Sequence, residues 1–282
     1  MRRRHVRVPG STANLGPGFD VLAAALGLFL DVEVVETGEF KLVTDLNLRA
    51  DRQNLIVRAF ERLHPADRFE FRVSSTIPLS GGMGSSAAGV VAGLMAADHM
   101  FELDVDLLEL ATEIEGHPDN VAASLKGGLV ICDGTDVRRL DLPDGLEAIL
   151  VVPETPVKTS LARQALPAGV PLADAVHNLA QIAKLTAGLA TSDWELIANG
   201  LGDRLHQPYR AHLYPQSAAV LERAREFGAL GATISGSGPT VLVWCQVQDT
   251  GLVMRRLVEE TQAWAQILRV PFEPQGAQVV SI

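Results

Sequence analysis

Residues 78–89 read PLSGGMGSSAAG, with four glycines in twelve positions. Glycine at this density costs conformational entropy on folding, so a bare backbone must be needed here. The stretch follows an alternating, strand-like segment and leads into a small, apolar, helix-like one. A glycine turn entering a helix offers unpaired N–H groups and the positive end of the helix dipole, which suits a phosphate. The same composition suits a tightly packed helix start with Ser85 or Ser86 as a simple cap. Two common nucleotide motifs are excluded by spacing. No lysine lies in residues 78–89, so G-x-x-x-x-G-K-[ST] is not met, and Gly82-Met83-Gly84 is followed by Ser85-Ser86-Ala87, which breaks G-x-G-x-x-G. Phosphate cradle and packing turn both stay open on spacing alone.

The elements that must position this loop are legible in outline. HVRVPG, LFLDVEVVETG and FKLVT predict an early antiparallel set of strands. NLIVRAFERLH places Leu55, Ala59 and Leu63 on one helical face. FEFRVSSTIP alternates as a strand, SSAAGVVAGLMAADHMF reads as a buried helix, and DVDLLELATEIEG as a second helix begun by Asp104 or Asp106 and closed by Gly116. GGLVICDG and EAILVVPE read as strands. The proline-rich stretch 153–156 is a plausible boundary, giving domains 1–155 and 156–282. Helices follow at 160–166, 173–189, 194–201 and 215–227, with strands in ATISGSGPTVLVWCQV and the tail AQVVSI. Strands first, helices irregularly interspersed and no regular βαβ repeat predict an α+β fold.

Composition bounds the function. With 47% hydrophobic residues in 282, a sizeable core is available. A net charge of −10 argues against a nucleic-acid footprint, though local arginines can still hold a small anion. No apolar run reaches the roughly 18 residues of a membrane span, and no signal-peptide core follows the basic N-terminus. Cys132 and Cys245 are far apart and read as buried free thiols of a cytoplasmic protein.

PLSGGMGSSAA resembles the P-x-x-x-G-[LM]-G-S-S-A motif of the GHMP kinases. Two further stretches are similar to motifs of that family in the same order: VPGSTANLGPGFDVLAAAL near the N-terminus and ISGSGPTVLVW near the C-terminus. The resemblance implies a two-domain fold, an N-terminal α+β domain like a ribosomal protein's second domain and a C-terminal ferredoxin-like α/β sandwich, with ATP between them. It implies that residues Pro78, Leu79, Ser80, Gly81, Gly82, Met83, Gly84, Ser85, Ser86, Ala87 and Ala88 wrap the ATP phosphates. Mg²⁺ would be met by Ser86 and by Glu115, with Glu113 the alternative on the same predicted helix. The adenine would lie against Asn54 and Leu55, which read equally well as an N-cap and a core leucine.

The string EGHPDN, residues 115–120, is similar to the homoserine-phosphorylating branch of the family. For an acceptor that is a zwitterion with a primary alcohol, the resemblance implies Asn14, His117, Thr159 and Gly236 as contacts, Asp20 for the ammonium, and Arg163 and Arg210 for the carboxylate. Thr159 and Arg163 stand four apart, one face of a helix. Asn120 would orient the attacking hydroxyl. Asp119 is either a base, as proposed in mevalonate kinase relatives, or a structural neighbour, and a loose transition state favours the base-free reading. ATP and homoserine are thus the expected partners, in threonine biosynthesis, with a homodimer implied by the family alone. The alternatives are a shikimate- or mevalonate-type kinase of the same family, or a non-catalytic sensor.

Overall fold

The computed structural model describes residues 1–79, 81–262 and 264–280. β1 (Arg3–Ala13) and β2 (Leu22–Glu36) form a long antiparallel pair whose register shifts between Pro9 and Gly10, where proline cannot donate to the ladder. Alternation puts Val6 and Val8 in the core and turns Arg3 and Arg7 outward. β3 (Lys41–Thr44) and α1 (Leu55–Glu61) follow, and β4 (Phe69–Ser75) pairs with β2 on one side and, in parallel, with β3 on the other.

α2 (Ser85–Phe101) is apolar nearly all round because it is buried nearly all round. It lies between the β1–β2 face and a cover of α1, α3 (Leu107–Glu115) and α4 (Asp119–Lys126). α1 approaches α2 so closely that a Cβ on Gly93 would sit 2.2 Å from the Ile56 carbonyl oxygen. Phe60 packs edge-to-face on Phe71 and at a tilt on Phe69, an aromatic cluster within this layer. β5 (Leu129–Asp133) pairs with residues 22–24 of β2 and carries β6 (Asp136–Leu140).

β7 (Leu146–Pro153) opens a second sheet. After it come α5 (Thr159–Gln164), α6 (Leu172–Thr191), α7 (Trp194–Asn199), α8 (Gln207–Arg210) and α9 (Pro215–Arg223). β8 (Gly231–Ile234), β9 (Val241–Gln246), α10 (Thr250–Thr261) and β10 (Ala265–Pro271) complete the unit, and β11 (Gln278–Val280) returns to pair with β1. The second sheet has the order β10-β7-β9-β8, all antiparallel, the ferredoxin-like arrangement. The sheets therefore divide the chain before β7, ahead of the proline-rich stretch at 153–156.

One core runs across both parts. Ala148 and Leu150 of β7, Leu242 and Trp244 of β9 and Leu189 of α6 join the N-terminal cluster, while Ile149, Val151 and Val243 on the other face pack on α9 and α10. Burial on both faces explains why β7 and β9 are near-continuous apolar runs. α4, β6, α8, α10 and β10 were not among the elements legible in the sequence. α4 begins beside Pro118, a turn-like residue that is also well placed at a helix start. β10 lies at the sheet edge with only Val270 fully buried, so its alternation is weak.

Candidate active site

A cleft of about 1010 Å³ opens between the two parts of the molecule. The glycine loop forms its floor. Gly82 and Gly84 have φ of +78° and +67°, which side-chain-bearing residues rarely adopt. A Cβ on Gly84 would stand 2.1 Å from Ser11 Oγ, and one on Gly82 2.3 Å from the Ser235 carbonyl oxygen. The loop is clamped from both sides: the Ser11 amide donates to the Met83 carbonyl at 3.1 Å, and Ser235 Oγ donates to the Gly82 carbonyl at 2.7 Å. The N-terminal and C-terminal glycine motifs thus meet at this loop. α2 has Gly84 as its N-cap and, among the described residues, no side-chain cap, so neither serine plays the simple capping role, and Ser85, Ser86 and Ala87 of its first turn line the cleft.

Ser86 lies at the second position of α2 and donates to Glu115 Oε1 at 2.5 Å. Glu115 ends α3, and two residues earlier Glu113 faces away and pairs with Arg62 at 3.1 Å. Two hard oxygen donors facing the phosphate loop suit a small divalent cation that takes its other ligands from phosphates and water. Among the described residues no cluster of three or more His, Cys, Asp or Glu could hold a metal unaided.

Beyond Glu115 the chain turns through His117 into α4. His117 Nδ1 and the Asn120 amide both donate to Asp119 Oδ1, at 2.9 and 2.7 Å, and Asp119 is buried. The hydrogen bond to Asp119 holds the His117 imidazole above its ordinary pKa. Asn120 is held in turn by Ser11 Oγ, which donates to Asn120 Oδ1 at 2.9 Å.

The opposite wall is cationic. Arg163, near the end of α5, forms a two-point pair with Asp20 at 3.2 Å in each arm. Thr159, one turn earlier, is 3.3 Å from Ser237 Oγ. Arg210 at the end of α8 is 2% exposed, and among the described residues no carboxylate lies within 4 Å of it. Its Nε donates to the Ala162 carbonyl at 2.9 Å, and burial pulls its pKa below the ordinary value. Phe19 lies against both guanidiniums, its ring centre 5.3 Å from Arg210 Cζ and 6.0 Å from Arg163 Cζ. Asn14, at φ +71°, donates from Nδ2 to the Gly236 carbonyl at 2.7 Å and accepts from the Asp20 amide at 2.9 Å, tying the N-terminal motif to the C-terminal one.

Of the residues expected at the site, Asn14, Asp20, Asn54, Leu79, Gly81, Gly82, Met83, Gly84, Ser85, Ser86, Ala87, Glu115, His117, Asp119, Asn120, Thr159, Arg163, Arg210 and Gly236 line this one cleft. Ala88 is buried beneath the loop, Pro78 stands outside the lining, and Ser80 lies outside the described residues. Asn54 is the N-cap of α1, accepting from the Ile56 amide at 3.0 Å while its edge borders the cleft. Ser11, Phe19 and Ser235 are functional neighbours that sequence reasoning passed over, although each sits inside a glycine-rich motif already in view.

Comparison with known proteins places the chain in a family. The "GHMP kinases N terminal domain" description matches residues 54–128 and the "GHMP kinases C terminal" description matches residues 185–259. A homoserine kinase of Moorella thermoacetica is 40% identical over 86% of this chain and 87% of its own length. A homoserine kinase of Prochlorococcus marinus is 38% identical over 98% and 96%. The crystal structure of a homoserine kinase from Cytophaga hutchinsonii superposes with a TM-score of 0.87 at 29% identity, covering 99% of this chain and 98% of that one.

Proposed function

The chain belongs to the GHMP kinase family, and on that premise we propose that its cleft transfers the γ-phosphoryl group of ATP to the side-chain hydroxyl of L-homoserine. The products are ADP and O-phospho-L-homoserine, on the route to threonine. A single juxtaposition carries the reading: an uncapped helix N-terminus behind a glycine loop faces a buried, carboxylate-free guanidinium across one cleft. The first end suits a polyphosphate and the second an acceptor bearing a carboxylate.

The phosphates lie along residues 81–87, where open amides and the α2 dipole face them. Ser86 and Glu115 hold Mg²⁺, which supplies charge neutralisation on the phosphate oxygens when bound. Arg163 and Arg210 receive the acceptor carboxylate. Asp20 receives the ammonium, exchanging part of its pairing with Arg163 for the zwitterion. Asn120, held by Ser11, orients the hydroxyl toward the γ-phosphorus; the new O–P bond forms as the bond to the ADP oxygen breaks, and the hydroxyl proton passes to an oxygen of the transferred phosphoryl group and from there to water. Asp119 already accepts two hydrogen bonds in a buried setting, which supports a positioning role for it, fixing His117 and the start of α4. Positioning and electrostatics suffice for a loose phosphoryl transfer.

A second copy of this chain is the partner. α6 turns Leu172, Val176 and Leu179 outward at 80, 55 and 67% exposure, and the same four-three spacing continues through Ala183, Thr186 and Ala190. Two such helices packed antiparallel bring the large half of each onto the small half of the other, a self-complementary seam. Among the described residues no helix is long and apolar enough to cross a membrane. The free, buried Cys132 and Cys245, each pushed up to about 12 by burial, suit a reducing cytoplasm.

An ADP-release assay with Mg-ATP and homoserine, serine, shikimate, mevalonate or galactose tests the reading. Turnover with homoserine far above the others is expected; turnover confined to a non-amino-acid acceptor would sink it.

A further inference from the structure

Behind the cleft lies a fully buried polar cluster that does not itself line it. His206, 0% exposed, sits one turn before Arg210. Its Nδ1 is 3.2 Å from Arg210 Nη1 and its Nε2 is 2.8 Å from the Gly16 carbonyl oxygen. A guanidinium has no lone pair to offer, so Nδ1 must be the acceptor. The ring proton then sits on Nε2 and is donated to Gly16. His206 is thereby fixed as one neutral tautomer.

The surroundings agree. Asp203 stands 3.6 Å from Nε2, but its oxygens already accept from the Leu205, His206 and Gln207 amides and from Asn178 Nδ2. The other charged groups around the ring are Arg210 and Asp20, and burial lowers the imidazole pKa. Asn178, itself buried, also reaches the Pro17 carbonyl at 3.3 Å. The loop that carries Asn14 and Asp20 is thus pinned from below at two successive carbonyls.

We propose that His206 is a positioning residue of the acceptor site, its neutral ring orienting Arg210 through Nδ1 and the Asn14–Asp20 loop through Nε2. This rests on the reading that Arg210 receives the acceptor carboxylate. Arg210 is held by the Ala162 and Gly236 carbonyls and by imidazole, all uncharged acceptors. Each fixes the fork without cancelling its charge, so the full charge is left for an anionic ligand. A carboxylate at position 206 would hold the fork equally well and neutralise it.

Two variants separate the two contacts. In His206→Asn the amide oxygen takes the place of Nδ1; in His206→Gln the amide nitrogen takes the place of Nε2. Rates with Mg-ATP over a homoserine series are measured alongside melting temperature. His206→Gln, lacking the acceptor for Arg210, raises the homoserine KM by about 10- to 100-fold, the range of a hydrogen bond to a charged group, with the ATP KM little changed. His206→Asn recovers most of that loss. Equal rises for both substrates, or homoserine KM values that do not differ between the two variants, overturn the proposal. Should His206→Gln fail to fold, the ¹⁵N spectrum of histidine-labelled protein, assigned with His206→Asn, decides: Nε2 must carry the proton, and a ring protonated on Nδ1 overturns the assignment. Arg210→Ala is the control, because an unchanged homoserine KM there contradicts the acceptor reading itself and not the tautomer of His206.

Discussion

Ser86 and Glu115 belong to different helices, 29 residues apart, and meet at 2.5 Å beside the phosphate loop. Ser86→Ala should lower kcat by at least on the order of 10-fold with little change in melting temperature, since this serine is exposed and caps nothing. An equal fall in thermal stability would make Ser86 a structural residue. Arg163→Ala and Arg210→Ala should raise the homoserine KM by about 10- to 100-fold each and leave ATP binding, measured by calorimetry, nearly unchanged. Weakening of both ligands alike would mean the acceptor end has been misplaced. His117 provides a pH signature. Its pKa is raised in the folded state, so its contribution to stability is fully present below its ordinary value of 6.5 and is lost as pH rises through the folded value. The melting-temperature gap between the native chain and His117→Gln should therefore be wider near pH 6 than near pH 9; a gap that grows with pH contradicts the His117–Asp119 pairing. At this scale residue types were legible and directions were not. The helix pattern alone leaves Glu113 and Glu115 both open, and only the EGHPDN resemblance favours Glu115; two residues on a helix point about 200° apart, and the azimuth of α3 on α2 sends one to Arg62 and the other to Ser86.

The element that aims the site is α2, and its seat on α1 makes a paired prediction. Gly93→Ala puts a methyl 2.2 Å from the Ile56 carbonyl oxygen, a backbone atom that cannot swing away. Overpacking of this kind costs about 1–3 kcal/mol, more than the roughly 1 kcal/mol of helix propensity that alanine gains over glycine, so the protein should melt earlier. Gly89→Ala, one turn away, meets only the Ile56 side chain at an ordinary 3.5 Å and should be neutral or stabilising. Opposite signs in thermal melts are expected; destabilisation at both positions would contradict this seat for α2. Elements with strong periodicity, such as β4 and α2, were legible because burial dictated their composition. α10 was passed over although Val253 and Leu257 mark its buried face, since Leu252 and Val258 stand exposed beside them and blur the apolar stripe.

At the scale of the molecule, the α+β class and the order of the motifs followed from the sequence, whereas the division between the sheets did not. The proline-rich stretch 153–156 begins at the last residue of β7, and β7 joins its sheet through partners about a hundred residues downstream, a pairing no local pattern announces. The same long-range pairing builds the cleft, because Gly236, beside β8, meets both Asn14 and Arg210 only once the second sheet has formed. The seam proposed on α6 belongs to this scale too. Sedimentation equilibrium should give twice the 30.2 kDa chain mass, and Leu179→Glu should give a monomer; an unmodified chain that sediments as a monomer would contradict it. The central claim is the identity of the phosphorylated product. ³¹P NMR of a reaction containing Mg-ATP and homoserine, with the product isolated for mass spectrometry, should show a phosphomonoester on the homoserine side-chain oxygen, formed in step with ADP. Release of inorganic phosphate alone, or no phosphomonoester while ATP is bound, would contradict the account.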